Sequence, residues 1–506
     1  MNKLIGILFF MLLFAPILQG QQQHGSILEK VISIDRKNQP VAIILNELSQ
    51  KAGIFFSYDA SVIVSDRLVS INVKDTKIED ILNLLFDKNL FRFIEKEGHI
   101  IILLKENGSL PDTTTQGYKQ EPFTNLTGRV VNQKNHKPIR YANISIVGKP
   151  IGTISNTDGD FILKVRPENK NELIAFSCLG YLVKEIPVKE IKPNDIILLK
   201  PASIFINEVL VNPTSPEMVL DKAIENINNN YFTQFMMNEA FYRETVKQDN
   251  NYINVSEAVL HILKSPYNNL SREDKVRVLK GRKIPEVNPL RWIDFKLQGG
   301  PKTITQLDLI KTSDTFLDPR FRHLYSYEIN RVIWYQGHPV YVIRFKPIRN
   351  VPFLCYEGEI YIDRETFAIW HINFGLNKQG LKLASKLLIK KKPRGFKIRT
   401  IKADYVVDYR QFGPKFYFSA ARASLIFKIK DRSEKVNSLF QSTSELLITD
   451  LEQSQIRRFP RNQAFLITDI LTETIDEYDD KFWGNYNIIK PGENLVKALK
   501  NFRLKK

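Results

Sequence analysis

Cysteine and histidine are scarce in this sequence. The chain of 506 residues has two cysteines, Cys178 and Cys355, and seven histidines. The cysteines lie in different predicted domains, each on an apolar strand, so the sequence predicts two buried free thiols and no disulfide framework. Because a thiol in apolar surroundings keeps a high pKa, neither cysteine is predicted to act as a nucleophile.

The sequence also lacks the motifs of several enzyme classes. No histidine has Glu or His three or four positions further on, so the zinc-binding pattern of metallopeptidases is absent. Gly-x-Ser-x-Gly and Gly-rich phosphate loops are missing as well. Asp158 and Asp160 suggest a calcium loop, but the distant Glu of that motif is absent, and a hairpin turn explains them. We therefore predict no catalytic residues, no metal, no cofactor and no enzymatic activity.

Acidic residues are outnumbered by basic ones. The formal net charge is +18, and the hydrophobic fraction of 43% is enough for ordinary cores. The excess of positive charge fits either an anionic partner, such as a membrane rich in lipopolysaccharide, or an ordinary basic surface with spread-out charges.

Residues 1–20 have the pattern of a secretory signal peptide. Lys3 supplies the positive end, Leu4 to Leu13 form a short apolar core, and Gly20 precedes a polar start. The apolar core is too short for a membrane-spanning helix. The sequence therefore predicts an exported protein that is periplasmic or peripheral at the outer membrane. Since nucleic acid is not expected there and no recognition motif is present, we predict no nucleic-acid partner.

Residues 26–105 predict a small α/β domain with the order β-α-β-β-α-β-β. Two helical segments each carry apolar residues on one face. These residues are Val41, Ile44, Leu45 and Leu48 in the first helix, and Ile78, Ile81, Leu82 and Leu85 in the second. The spacing Leu48-x(4)-Gly53-Ile54-x(3)-Tyr58 resembles the short N-terminal domain of secretins and TonB-dependent receptors. This resemblance implies a Gram-negative periplasm and contacts with envelope proteins, although a plain spacer domain also fits.

A polar stretch at 106–123 is predicted to be a flexible linker, and 124–201 to be a β-sandwich. The pieces that identify the sandwich are Thr127-Gly128, Pro138-Ile139, Ala142-Asn143, Gly152-Thr153 and Thr157-Asp158-Gly159-Asp160-Phe161. They resemble the carboxypeptidase-regulatory-like domain, a seven-stranded sandwich of prealbumin type. The resemblance implies a fold and no peptidase activity.

Residues 213–455 contain long strands that follow one another through short turns. This pattern predicts a large antiparallel sheet, curved or forming a half-barrel, followed by a polar tail with a terminal helix at 456–506. The hairpin around Gly358-x-Ile360-Tyr361-Ile362-Asp363 is similar to carriers of the LolA type, which hold acyl chains. The fold class predicted for the whole chain is multidomain and mainly β.

Two groups of charged residues are candidate sites. Arg243 and Glu244, with Glu257 on the next strand, form a candidate polar constellation, which cross-strand charge pairing would also explain. The densest basic run is a candidate contact for an anionic surface, or else a solvated edge hairpin. The residues of this run are Lys386, Lys390, Lys391, Lys392, Arg394, Lys397 and Arg399.

These observations favour a non-enzymatic binding or scaffolding protein, accessory to an envelope transport or signalling system. Three alternatives remain open: a lipid or glycan carrier that uses the curved sheet, an integral outer-membrane protein, and a hydrolase with an unrecognised site. The carrier requires an apolar concave face. The hydrolase would gain support if Glu244, Glu257 and Asp363 met in one pocket.

Overall fold

The computed structural model describes residues 26–58, 68–88, 90–96, 99–105, 123–202, 215–283, 300–312, 315–348, 356–387, 397–431, 435–460, 463–477 and 483–503. The predicted signal peptide, Cys355 and all but the last residue of the predicted linker lie outside these residues. The chain divides into two compact units, Met1–Lys119 and Gln120–Lys506, and each is described by itself.

The first unit has the predicted order β-α-β-β-α-β-β. Its elements are β1 (Val31–Pro40), α1 (Val41–Ala52), β2 (Phe55–Tyr58), β3 (Leu68–Lys77), α2 (Ile78–Leu85), β4 (Phe91–Lys96) and β5 (His99–Leu104). Strand β1 pairs with β3, and the other strands form a sheet in the order β2-β5-β4. The predicted apolar faces of α1 and α2 are both buried in the core of this unit, as expected for amphipathic helices.

The second unit begins with a sandwich of seven strands. They are β6 (Thr124–Asn132), β7 (Asn143–Ile146), β8 (Gly152–Ile154), β9 (Asp160–Val165), β10 (Leu173–Ser177), β11 (Lys184–Pro187) and β12 (Asp195–Leu199). The two sheets have the orders β11-β10-β7-β8 and β12-β6-β9. Alternating apolar residues of both sheets, such as Ile144, Phe161 and Phe176, form one core. Gly159 has φ +78 at the predicted Asp-Gly turn.

The rest of the second unit is built on one large sheet. Its strands are β13 (Met236–Gln248), β14 (Asn251–Lys264), β15 (Lys275–Lys283), β16 (Tyr325–Tyr335), β17 (His338–Pro347), β18 (Tyr356–Asp363), β19 (Ile369–Leu376), β20 (Lys397–Phe412), β21 (Lys415–Asp431), β22 (Val436–Gln453) and β23 (Asp476–Glu477). The order is β16-β17-β18-β19-β20-β21-β22-β13-β14-β15-β23. All neighbours are antiparallel except β15 and β23. The sheet does not close, and the predicted fold class is confirmed.

The helices of this unit are α3 (Pro216–Glu225), α4 (Ile227–Asn230), α5 (Gly300–Thr305), α6 (Lys378–Leu387), α7 (Leu471–Thr474) and α8 (Glu493–Arg503). One face of the large sheet, which we call the core face, packs against residues of α3, α4, α5 and α7 in the largest apolar cluster. The opposite face carries Phe241 and Val259, which cluster with Ile154 and Ile162 of the sandwich. We call it the sandwich face.

Candidate functional site

A row of five charged residues crosses the sandwich face at right angles to the strands. Arg282, Glu257, Arg243, Glu445 and Arg422 lie on five neighbouring strands, each opposite the next in the pairing register. The charges alternate in sign along this charge row. Opposite charges on adjacent strands attract, so the row favours this register.

Glu257 is the centre of the charge row. Its Oε1 accepts a hydrogen bond from Arg243 Nε at 2.6 Å, and its Oε2 accepts one from Arg282 Nε at 2.8 Å. All three side chains are at least 96% buried. Burial alone would raise the pKa of Glu257, but the two arginines outweigh it and hold this pKa below its ordinary value. Arg243 and Glu257 are therefore brought together as the sequence predicted.

Glu244 does not join them. Successive side chains of a strand point to opposite faces, so Glu244 lies on the core face, where its Oε2 accepts a hydrogen bond from the Tyr242 hydroxyl at 2.9 Å. Burial raises the pKa of Glu244 to about 7. The predicted constellation of Arg243, Glu244 and Glu257 is thus wrong in one member. Glu244 directly follows Arg243 in the strand, so the two side chains point to opposite faces of the sheet.

Residues 483–495, which we call the joining segment, lie between the charge row and the sandwich. Arg243 Nη2 donates to the carbonyl of Ile489 at 2.6 Å, and the Arg282 guanidinium lies 4.6 Å from the Trp483 ring. Trp483, Ile488 and Ile489 are buried. The composition of 456–506 predicts a polar tail, but these three residues of it are part of the interior.

The same segment is bonded to the sandwich. Asn487 Oδ1 accepts from the Lys164 backbone N–H at 2.7 Å, and Thr153 Oγ1 donates to the Ile488 carbonyl at 2.9 Å. Asp158 Oδ2 accepts from the Glu493 backbone N–H at 2.8 Å, at the start of α8. A carboxylate at that position satisfies an otherwise unpaired helix N–H group. The suspected calcium residue Asp158 therefore acts as a helix cap, and Asp160 pairs with Arg129.

A cleft of about 160 Å³ lies at this junction. We call it the polar cleft. Its walls come from the sandwich and from the joining segment with α8, and its floor is the sandwich face of the large sheet. The residues that line it are Tyr141, Asn156, Thr157, Asp158, Arg243, Thr245, Lys247, Tyr252, Arg422, Ser424, Gln441, Thr443, Glu445, Ile489, Gly492, Asn494 and Leu495.

The floor of the polar cleft is ordered in rows by the strand register. Next to the charge row, Thr245, Thr443 and Ser424 lie opposite one another on β13, β22 and β21. Beyond them, Lys247 lies opposite Gln441. Hydroxyl and amide groups both donate and accept hydrogen bonds, so this floor can bind a polar ligand.

Two cations flank the floor. The Arg422 guanidinium lies 3.9 Å from the centroid of the Tyr141 ring, and Lys247 Nζ lies 4.4 Å from that of Tyr252. Neither cation has an ion pair with a carboxylate among the described residues. Sequence reasoning missed Arg422, Lys247 and Glu445, because β13 and β22 are far apart in the chain and no local pattern links them.

Basic residues meet at the far end of β20 and β21. Lys397 lies opposite Lys430, and Arg399 opposite Lys428. No register shift separates this part of β21 from Arg422, so these side chains share the sandwich face with the charge row. We call the four residues the basic end. Of the predicted basic run, Lys397 and Arg399 are exposed, only the backbone of Lys386 is described, and Lys390, Lys391, Lys392 and Arg394 lie outside the described residues.

The three carboxylates of the hydrolase alternative are not brought together. Glu244 and Glu257 lie on opposite faces, and Asp363 lies on β18, with four strands between it and β13. Asp363 is fully buried and accepts hydrogen bonds from the backbone of Glu365 and Thr366 and from Trp370 Nε1. These bonds hold a turn, and His338 Nδ1 lies 3.3 Å from Asp363 Oδ2.

The core face carries the largest apolar cluster, and the chain's own residues fill it. Phe316, Trp370 and Phe416 are among its fully buried side chains. A cavity next to Lys264 and Tyr267 has a volume of only about 10 Å³, roughly one water molecule. Of the two cysteines, Cys178 is a free, half-buried thiol whose pKa burial raises to about 12.

Comparison with known proteins identifies one domain. Residues 126–211 match the model of the CarboxypepD_reg-like domain, which confirms the predicted sandwich family for that segment. No curated protein sequence matches the chain.

The likeness to solved structures is weak. A DUF1329 family protein from Desulfovibrio piger is 10% identical over 48% of this chain and 96% of that one, with a TM-score of 0.23. The ferripyoverdine receptor of the outer membrane of Pseudomonas aeruginosa is 10% identical over 81% and 58%, with a TM-score of 0.13. Neither score is high enough to bear on fold or function. No helix within the described ranges is long and apolar enough to span a membrane.

Proposed function

We propose that this protein is a non-enzymatic binding protein of the Gram-negative envelope, and that its basic end holds it against an anionic membrane surface. The signal-peptide pattern at 1–20 supports export. The resemblance of 26–105 to the secretin and TonB short N-terminal domain supports an accessory role in transport or signalling, through contacts with envelope proteins.

One observation supports the proposed membrane contact. Like charges directly opposite each other on neighbouring strands destabilise a sheet, yet Lys397 faces Lys430 and Arg399 faces Lys428. An anionic surface would relieve this repulsion, since each Lys or Arg near anionic lipid contributes about 1 kcal/mol. Leu439 lies opposite Lys428 on the same face and is 44% exposed, so an apolar side chain accompanies the charges.

Vesicle binding tests this proposal. The full-length protein should sediment with vesicles containing phosphatidylglycerol and not with pure phosphatidylcholine, and added salt should weaken the binding because exposed charges are screened. The fourfold variant Lys397→Gln, Arg399→Gln, Lys428→Gln and Lys430→Gln should lose at least tenfold in affinity.

A matched variant separates position from net charge. Lys134, Lys137, Lys189 and Lys192 are exposed on the sandwich, and their replacement by Gln removes the same four charges. We expect this control to bind as the wild type does. Equal weakening of both variants, or no binding of the wild type to phosphatidylglycerol, would contradict the proposal.

A further inference from the structure

The polar cleft is lined by polar and charged residues that take no part in the proposed membrane contact. Arg243 is 4% exposed there, and its Nη1 lies 3.8 Å from Glu445 Oε2. Asp158 is occupied by the start of α8. Arg422 lies opposite Glu445 on the neighbouring strand, and Lys247 lies opposite the neutral Gln441. The lining has three cations, Arg243, Lys247 and Arg422, and two anions, Asp158 and Glu445, so its formal net charge is +1.

Asn156 adds an independent observation. It lines the cleft and is 4% exposed. Its Oδ1 accepts hydrogen bonds from the backbone N–H groups of Asp158 and Asp160, which fixes the amide orientation. Its Nδ2 has no hydrogen-bond partner within the part of the chain that the structure describes. A buried donor without a partner is costly, and a ligand in the cleft reaches this one only if the wall shifts slightly.

We propose that the polar cleft binds a small anionic polyol, the chemistry of an acidic sugar. Arg422 pairs with the carboxylate, because a guanidinium binds carboxylates through two parallel hydrogen bonds. Lys247 supplies a second positive charge on the opposite side. The hydroxyls of Thr245, Thr443 and Ser424 exchange hydrogen bonds with the sugar hydroxyls.

The size of the cleft agrees with a single sugar-sized group. Pockets for drug-sized ligands have volumes of about 300–1,000 Å³, and this one has about 160 Å³. Gly492 keeps the wall close, since a Cβ there would lie 2.8 Å from Asp158 Oδ2.

Calorimetric titration of the full-length protein with three probes tests the inference. D-Galacturonate carries both the carboxylate and the hydroxyls, D-galactose lacks the charge, and inorganic phosphate lacks the polyol. We expect galacturonate to bind at least tenfold more tightly than either of the others. Equal binding of galactose would refute the need for an anion, equal binding of phosphate would refute the polyol, and no binding of galacturonate would refute the site.

Variants connect the binding to the cleft. Arg422→Gln, Lys247→Gln and Asn156→Asp should each weaken galacturonate binding at least tenfold, and Asn156→Asp keeps the oxygen that holds the turn. Arg364→Gln is the matched control, because Arg364 also lies over a tyrosine ring, that of Tyr341, outside the cleft. A loss in the control equal to that in Arg422→Gln would overturn the assignment.

Ligand binding in the polar cleft and membrane binding by the basic end can be tested separately. Arg422→Gln should still bind phosphatidylglycerol vesicles, and the fourfold variant of the basic end should still bind galacturonate. Failure of one proposal is therefore distinguishable from failure of the other.

Discussion

The charge row and the basic end are two parts of the same sheet face. Neighbouring strands carry opposite charges in the charge row and like charges in the basic end. In the charge row, Arg243 has Glu257 and Glu445 as cross-strand neighbours. In the basic end, Lys430 has Lys397 as its neighbour. The first arrangement places its central arginine between two carboxylates of the protein, and the second places cations beside cations and leaves them for an external anion. Arg243 and Lys430 are thus both cations on one sheet face, but their cross-strand neighbours carry opposite charges.

The largest effect is expected from breaking the charge row at its centre. Glu257→Gln leaves Arg243 and Arg282 buried without their shared carboxylate, which costs roughly 3–5 kcal/mol in the free energy of unfolding. Urea unfolding followed by tryptophan fluorescence measures this loss, because all four tryptophans lie in the second unit. Glu328→Gln, at an exposed position of β16, is the control. A loss below about 1 kcal/mol would show that the row is dispensable.

A smaller effect is expected on the core face, where Glu244 has no ion pair among the described residues. Its pKa is about 7 in the folded protein against 4.5 for the ordinary group. The folded state therefore holds a proton between these values that the unfolded state has released, so stability falls as pH rises from 4.5 to 7. Glu244→Gln should remove this fall and be more stable at pH 8 by about 3 kcal/mol.

Urea unfolding of the wild type and of Glu244→Gln at pH 4 and pH 8 checks this prediction. The two proteins should be nearly equal at pH 4, where Glu244 is protonated in both the folded and unfolded states. An equal difference at both pH values would mean that the carboxyl group is not the cause.

The smallest effect is expected from reversing one charge in the basic end. Lys430→Glu places a carboxylate opposite Lys397 and should stabilise the protein by about 0.2–1 kcal/mol. The same measurement on Glu445→Lys, in the charge row, should show destabilisation, because the new cation faces Arg243 and Arg422. If both changes had the same sign, the contrast between the two regions would fail.

The sequence predicted those parts of the fold that depend on neighbouring residues. The helix faces around Leu45 and Ile81 follow from periodicity. A tight turn at Asp249 and Asn250, which both have positive φ, joins the two strands, but alone it would place Arg243 opposite Ser256. The register shift between Val246 and Lys247 brings Arg243 opposite Glu257 instead. Glu244 was wrongly grouped with them, because it is adjacent to Arg243 in the strand and its side chain therefore points to the other face.

The polar cleft could not be predicted in the same way. Arg243 and Arg422 lie near each other only because β22 pairs with both β13 and β21. No local sequence pattern predicts this order of strands. The joining segment was also missed, although Trp483, Ile488 and Ile489 are an apolar signal within a polar region. Their burial depends on two surfaces, the sandwich and the sheet, that form elsewhere in the chain.

The insertion of β13 beside β22 also has a consequence for how the second unit folds. The Tyr242 hydroxyl bonds to Ser444, 202 residues away, whereas β16 to β22 pair with their neighbours in the chain. Contacts of such long range form slowly. Before β22 docks, the β13–β14 hairpin presents a free edge that can pair with another chain. We expect this docking step to limit the refolding rate and to be the stage at which the protein aggregates.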